Sequence, residues 1–396
     1  MRIGYLLFGD NNTLDHVGIK DRFNRSTSEV LKLTGANLGN LAFKYGAMKL
    51  LSDTHEIIYI TYNSDVEFVK KNVDVIVLPE ANLVNPNVNY SRPAEFIKNV
   101  DKPCILLGVG AQAIDLESKV ICSQGTINYL SEVSKRTSNI MVRGSFTKKI
   151  LADLGILNVD DLGCPSYMIN PNQNLWSKVK SKANKIALFN NFSVTEGVYP
   201  QSTRNERIDS FERNAFQFVL SGHADYIGQV QTSVITNGLN DMDNINRDDM
   251  YYLRKYLCDY CDEHTFNNIA RKKFKAFVRT DEWMNYYTSK QAVIGTRIHG
   301  NFLAIQSLTP ALPITHDSRT TELCQAMKIP YLPVNDAINI RSNIDLIDAF
   351  SVVRNLNDVE LDAHRAFIAE NYIKNLKELD VQPSKSLYAI SRTLEK

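Results

Sequence analysis

Residues 292–317, "AVIGTRIHGNFLAIQSLTPALPITHD", run from one apolar stretch of strand length through a helical stretch, "NFLAIQSL", to a second, "ALPIT". Arg297, His299 and Asn301 fall on alternate positions just after Gly295, where the first strand gives way to the helix. A strand, a crossover helix and a second strand form the unit from which parallel sheets are built. In such sheets ligands bind beyond the carboxyl ends of the strands. A permanent cation and a titratable imidazole at that edge therefore raise a question of function as well as of fold.

Working outward, the same alternation runs through most of the chain. "RIGYLLF", "HEIIYITY", "VDVIVLPE", "PCILLGVG" and "NIMVRG" read as strands, with helical patterns in "NLGNLAFKYGAMKLL", "SDVEFVKKN" and "QGTINYLSEVSKRT" between them. Ser64 with Glu67, and Thr203 with Glu206, fit capping boxes. Residues 163–184 break the rhythm with two prolines and several Asn and Lys residues, and read as an interdomain linker. A second set follows: "KIALFNNF", the helical "TRNERIDSFERNAFQFVLSG", then "ADYIGQVQT", "FKAFVRT", "AVIGTRI", "ALPITHD" and "PYLPV". "NGLNDMDNINRDDM" reads as a polar surface loop, and residues 359–380 as a long amphipathic helix.

At 396 residues the chain exceeds what one core serves. The expectation is an α/β protein of two doubly wound, Rossmann-like domains facing a cleft. They are placed at 1–170 and 185–358, with the tail 359–396 packing back on the first. A net charge of +1 leaves no excess cation for a nucleic-acid partner. No apolar segment approaches the length of a membrane span, and the N-terminal apolar run is too short for a signal peptide. These readings imply a cytoplasmic protein; a local basic patch would still allow peripheral association with the inner face of a membrane. The six cysteines, without an export signal, argue against disulfides. Cys258, Cys261 and His264 have metal-like spacing but lack a second ligand pair, so they read as residues of a helix and no metal is expected.

Four places carry chemistry. Arg297 and His299 combine a planar cationic fork with a proton carrier beside a helix N-terminus, where backbone N–H groups favour an anion. In "NIMVRGSFTKKILADLGI", Arg143 ends a strand and Ser145 or Thr147 opens a helix. In "ITHDSRTTELCQAMKI", His316, Asp317 and Arg319 follow a buried strand, with Glu322 in the next helix's first turn. In "TGANLGNLAFKYGAMKLL", Asn37 and Asn40 precede a helix close to the first strand. Together they suggest one cationic point per domain, gripping a small, multiply charged anion.

"GTRIHGNFLAIQSLTPALPITHD", with its following Arg319, resembles the GxRxHG motif of the polysaccharide pyruvyl transferases. "VRGSFTKKILADLGILNVDDLGCPS", "ANLGN" and "PCILLGVGAQ" extend the likeness over roughly residues 35–330. The resemblance implies a GT-B-like fold and transfer of pyruvate from phosphoenolpyruvate, as a cyclic ketal, to a sugar of a cell-surface glycan or its precursor. It implies His299 as acid/base and Arg143 and Arg297 as donor ligands. Asn37, Asn40, Ser145, Asn301, Asp317 and Arg319 complete the expected substrate-binding set. Asn40 stands where the family often has Asp, and Arg319 where Lys is common. Expected partners are phosphoenolpyruvate and a glycan, lipid-linked or nucleotide-linked sugar acceptor, with no cofactor; oligomeric state is not legible. A GT-B glycosyltransferase using a nucleotide sugar, and a non-catalytic carbohydrate-binding protein, are the alternative readings.

Overall fold

The structure, a computed structural model, describes residues 1–7, 13–198 and 205–392. It contains two six-stranded, fully parallel sheets. The first is formed by β1 (Arg2–Leu6), β2 (Glu56–Ile60), β3 (Val75–Pro79), β4 (Cys104–Val109), β5 (Ile140–Val142) and β6 (Val159–Asp161), in the order 2-1-3-4-5-6. The second is formed by β7 (Phe192–Thr195), β8 (Ala224–Ile227), β9 (Phe274–Lys275), β10 (Val293–Gly295), β11 (Ala311–Thr315) and β12 (Leu332–Pro333). Its order, 12-11-10-7-8-9, reverses between β7 and β10, as that of the first sheet does between β1 and β3. A crevice opens at such a switch point because the flanking connections leave in opposite directions. The expected pair of doubly wound, Rossmann-like sheets is therefore present.

The strands read as continuous apolar runs because both faces are covered. β3 and β4 are buried at every position. The second sheet's strands are shorter than their apolar runs: "FKAFVRT" contributes only Phe274–Lys275 to β9. The helix after β2 starts one residue later than its sequence suggests. Asp65 caps it by accepting from the Phe68 N–H, while the Ser64 hydroxyl oxygen accepts from the Thr61 N–H. Asn205 caps the helix Glu206–Leu220, and Thr203 lies outside the described residues. The polar stretch 237–250 is only partly loop, since Arg247 already begins a helix capped by Asn246.

The stretch read as a linker is built. Pro165–Met168 forms a 3-10 turn, and Leu175–Asn184 a helix with Leu175, Trp176, Val179 and Ala183 buried. The chain's last long helix, Asp358–Lys377, holds this crossing in place. Arg365 is buried and donates to the carbonyls of Tyr167 (3.1 Å), Asn172 (2.8 Å) and Asn170, and Asp362 accepts from the Trp176 N–H. Further on, Asn375 donates to Asp160 in β6, and the Ser384 hydroxyl to the carbonyl of Lys49. The C-terminal segment thus returns to the lobe of the first sheet. None of the helices among the described residues is long and apolar enough to cross a membrane.

Candidate functional site

The junction that opens the sequence lies at the switch point of the second sheet. Gly295 ends β10 with φ +146°, and a Cβ there would lie 2.2 Å from the Thr195 hydroxyl of β7, so only glycine fits. Arg297 follows as the N-cap of the helix Ile298–Gln306, and its side chain makes no capping hydrogen bond there. Thr296, Arg297 and Ile298 instead line a narrow cavity. The first N–H groups of a helix facing a cavity favour an anion there. The Arg297 Nε donates to the carboxylate of Glu196 (3.0 Å) and its Nη2 to the carbonyl of Val198 (3.0 Å). Glu196 is fully buried and also accepts from the N–H groups of Val230 and Gln231. Burial pushes its carboxyl up, and Arg297 pulls it back.

The opposite wall comes from the first sheet. Arg143 follows β5, is 2% exposed, and donates from Nε to the Gly108 carbonyl (2.9 Å) and from Nη1 to the Asn82 side chain. Arg143, Arg297 and His299 line the same cavity, together with Asn37, Asn40 and Arg319. Cations thus enter from both sheets, with the imidazole in the same lining.

His299 sits on the first turn of the helix Ile298–Gln306, packed against Phe43 and Phe302. Its Nε2 lies 3.7 Å from the Cys164 thiol. Burial, and then the positive charge of Arg143, push its pKa down to about 3. The ring is therefore neutral across the physiological range. Burial pushes the Cys164 thiol up, so the pair is not a thiolate–imidazolium couple.

The remaining expected residues divide. Asn37 accepts from the Gly39 N–H, and Asn40 donates to the Thr34 carbonyl while still lining the cavity. Arg319 lines it too, held by Asp317 through Nε (2.7 Å). Asp317 does not: it caps the helix Ser318–Ala326 in a capping box with Thr320. Burial disfavours its ionised form, but Arg319 and His316 more than offset this and hold it at about 2. Asn301 is fully buried, and its amide donates to the carbonyls of Gly295 and Arg297, bracing the turn from within. Ser145 is exposed and outside the lining. The anion site expected at the start of its helix is filled from the other lobe. Glu322 accepts from the Thr147 N–H (2.6 Å) and hydroxyl (2.9 Å), and a Cβ on Gly144 would meet the Glu322 side chain at 2.5 Å. The helix dipole is answered there by protein.

His316, singled out with Asp317 and Arg319, lines the cavity, as do Asn82, Gln229, Thr296 and Thr320, which carried no assignment from sequence. Gln229 is informative. Its Nε2 is buried without a hydrogen-bond partner among the described residues, and its carbonyl accepts from the Leu38 N–H across the lobes. Its sequence signal was slight, a polar residue just past β8 at the carboxyl edge.

Cys258 and Cys261 form a disulfide, against the expectation of free thiols within a helix. The helix Arg247–Leu257 stops before them, so both sulfurs meet across a tight turn. His264 pairs with Asn268 instead. Among the described residues no group of three or more His, Cys, Asp or Glu is placed to hold a metal ion.

Two doubly wound lobes that bring arginines from both sheets to an imidazole define the class: an α/β protein with a cation-lined cavity between its lobes. The chain belongs to the polysaccharide pyruvyl transferase family, whose model matches residues 37–318. No curated protein matches the chain. Among solved structures it is similar to S. aureus MnaA in a co-structure with UDP, at 8% identity over 97% of this chain and 99% of that one, with a TM-score of 0.46. It is also similar to the UDP-GlcNAc 2-epimerase of Methanocaldococcus jannaschii in complex with UDP-GlcNAc and UDP (11% identity, 90% and 94% covered, TM-score 0.42). A third likeness is to the wall teichoic acid polymerase TagF (10% identity, 95% and 89% covered, TM-score 0.38).

Proposed function

We propose that this chain transfers the pyruvyl group of phosphoenolpyruvate to two hydroxyls of a sugar, forming a cyclic ketal and releasing phosphate. The observation that carries the reading is the convergence of Arg143 and Arg297, from different sheets, on the cavity that holds His299. Phosphoenolpyruvate carries a phosphate and a carboxylate, and each suits a guanidinium or open helix N–H groups. The uncapped start of the helix Ile298–Gln306 would take one anionic group, and Arg143 the other.

The first sugar hydroxyl adds to C2 as the methylene carbon gains a proton. The C2–O bond to phosphate then breaks, and the second hydroxyl closes the ketal. One hydroxyl proton ends on the new methyl group and the other on phosphate, so the sequence needs no outside acid. His299, neutral in the empty site, is suited to take the first hydroxyl's proton and hand it on. The donor's negative charge opposes the influence of Arg143 and makes the imidazolium easier to form. Arg143 would stabilise charge on the departing phosphate. Incubation with phosphoenolpyruvate and a panel of glycan acceptors tests this, read by mass for a pyruvate ketal and by phosphate release. Release of a nucleoside diphosphate from a nucleotide sugar, with no consumption of phosphoenolpyruvate, would instead support glycosyl transfer.

A further inference from the structure

The reaction cavity is small, about 70 Å³, so the bulk of a glycan acceptor and any carrier must lie outside it. A hollow of about 580 Å³ lies in the second lobe, between the helices Arg247–Leu257 and Glu263–Lys273. Arg247, Arg254 and Arg271 line it, and Glu263 is the one carboxylate among its described lining residues. The balance there is two positive charges, on a chain whose net charge is +1. None of these three arginines forms an ion pair among the described residues, whereas Lys255 on the first of these helices pairs with Asp259. Arg254 stacks over the ring of Tyr251 (5.5 Å), and its Nε is buried without a hydrogen-bond partner among the described residues. Tyr251 is half exposed and Met242 nearly so, giving the hollow a flat apolar face beside its cations.

We infer that this hollow binds the diphosphate of a carrier-linked acceptor sugar, with the carrier's apolar or aromatic part on Tyr251 and Met242. Guanidinium forks match phosphate oxygens two at a time, and a diphosphate offers negative charge enough for the two positive charges that the lining leaves unanswered. The inference rests on the proposed pyruvyl transfer for the identity of the acceptor, but binding can be measured without turnover. The source of the diphosphate is either a nucleotide or an isoprenoid lipid, and the two share this chemistry.

Calorimetric titration with uridine diphosphate and with geranyl diphosphate separates the sources. The expected result is that one of them binds equally to the wild type and to Arg143→Ala, which keeps the reaction cavity from being mistaken for the hollow. The double variant Arg247→Ala/Arg271→Ala should then bind it at least tenfold more weakly, with circular dichroism unchanged because both residues are exposed. In turnover the same variant should raise KM for the acceptor and leave KM for phosphoenolpyruvate as it was. Failure of both diphosphates to bind, or binding that the double variant leaves intact, overturns the inference. Loss of pyruvyl transfer with diphosphate binding intact would instead count against the proposed reaction.

Discussion

In the proposed reaction His299 concentrates the chemistry of the site in one ring. Its depressed pKa follows from burial among Phe43, Phe302 and Cys164 with Arg143 nearby, so the ring is held neutral. The sign can be tested by NMR. The imidazole should stay neutral on titration from pH 8 to about 4, and phosphoenolpyruvate should move its midpoint upward as anionic charge offsets Arg143. A midpoint near the ordinary histidine value in the free protein would contradict this environment. His299→Ala should keep the fold and donor binding but lose about 10²–10⁴ in turnover, the usual worth of a positioned acid/base. Near-normal turnover would remove His299 from the mechanism. The arginines and the histidine were legible because their types and their place after a strand announce an anion site. Asn301, Ser145 and Asp317 share that place, yet their side chains brace a turn, face solvent and cap a helix. Spacing along a chain does not say which way a short polar side chain turns.

At the scale of elements, two helices start at the carboxyl edges of their sheets, and the protein treats them differently. The helix Ile298–Gln306 begins uncapped at the cavity, whereas Ser145–Asp153 is capped by Glu322 from the opposite lobe. Glu322→Ala would leave the Thr147 N–H buried and unsatisfied, at a cost of about 1–3 kcal/mol. Thermal unfolding should fall accordingly, with activity reduced through the relative placement of the two lobes. A variant as stable as the wild type would show that this contact bears nothing. The alternation of strand and helix gave the sheets, because buried parallel strands are apolar throughout. The helix Leu175–Asn184 was hidden by its Lys and Asn content, since its buried face holds only a few apolar residues and its fit depends on Asp362, nearly two hundred positions later. Contacts at that separation leave no local periodicity to read.

At the scale of the molecule, four glutamates among the described residues (Glu80, Glu196, Glu212 and Glu322) are buried, and burial pushes each one up. Glu212 reaches about 7. A carboxyl with a folded pKa above its unfolded value contributes stability below the unfolded value, and that contribution is lost as pH rises through the folded one. Stability should therefore decline between pH 5 and 8, by at most about 1.4 kcal/mol per pH unit for each such group. Glu212→Gln should flatten the decline around neutrality, as melting temperatures across that range would show. An unchanged slope would mean that Glu212 does not titrate there. These glutamates sit in the same lobes that meet at the cavity, so the fold holds ionisable groups in its interior where the site needs cations held in place.

The central claim is that cations from the two lobes hold one small acid beside His299, and calorimetric titration with phosphoenolpyruvate tests it most directly. The wild type and His299→Ala should bind it comparably, whereas Arg143→Ala should bind at least tenfold more weakly, consistent with the loss of a charge-assisted pair. Undiminished binding by Arg143→Ala would contradict the account.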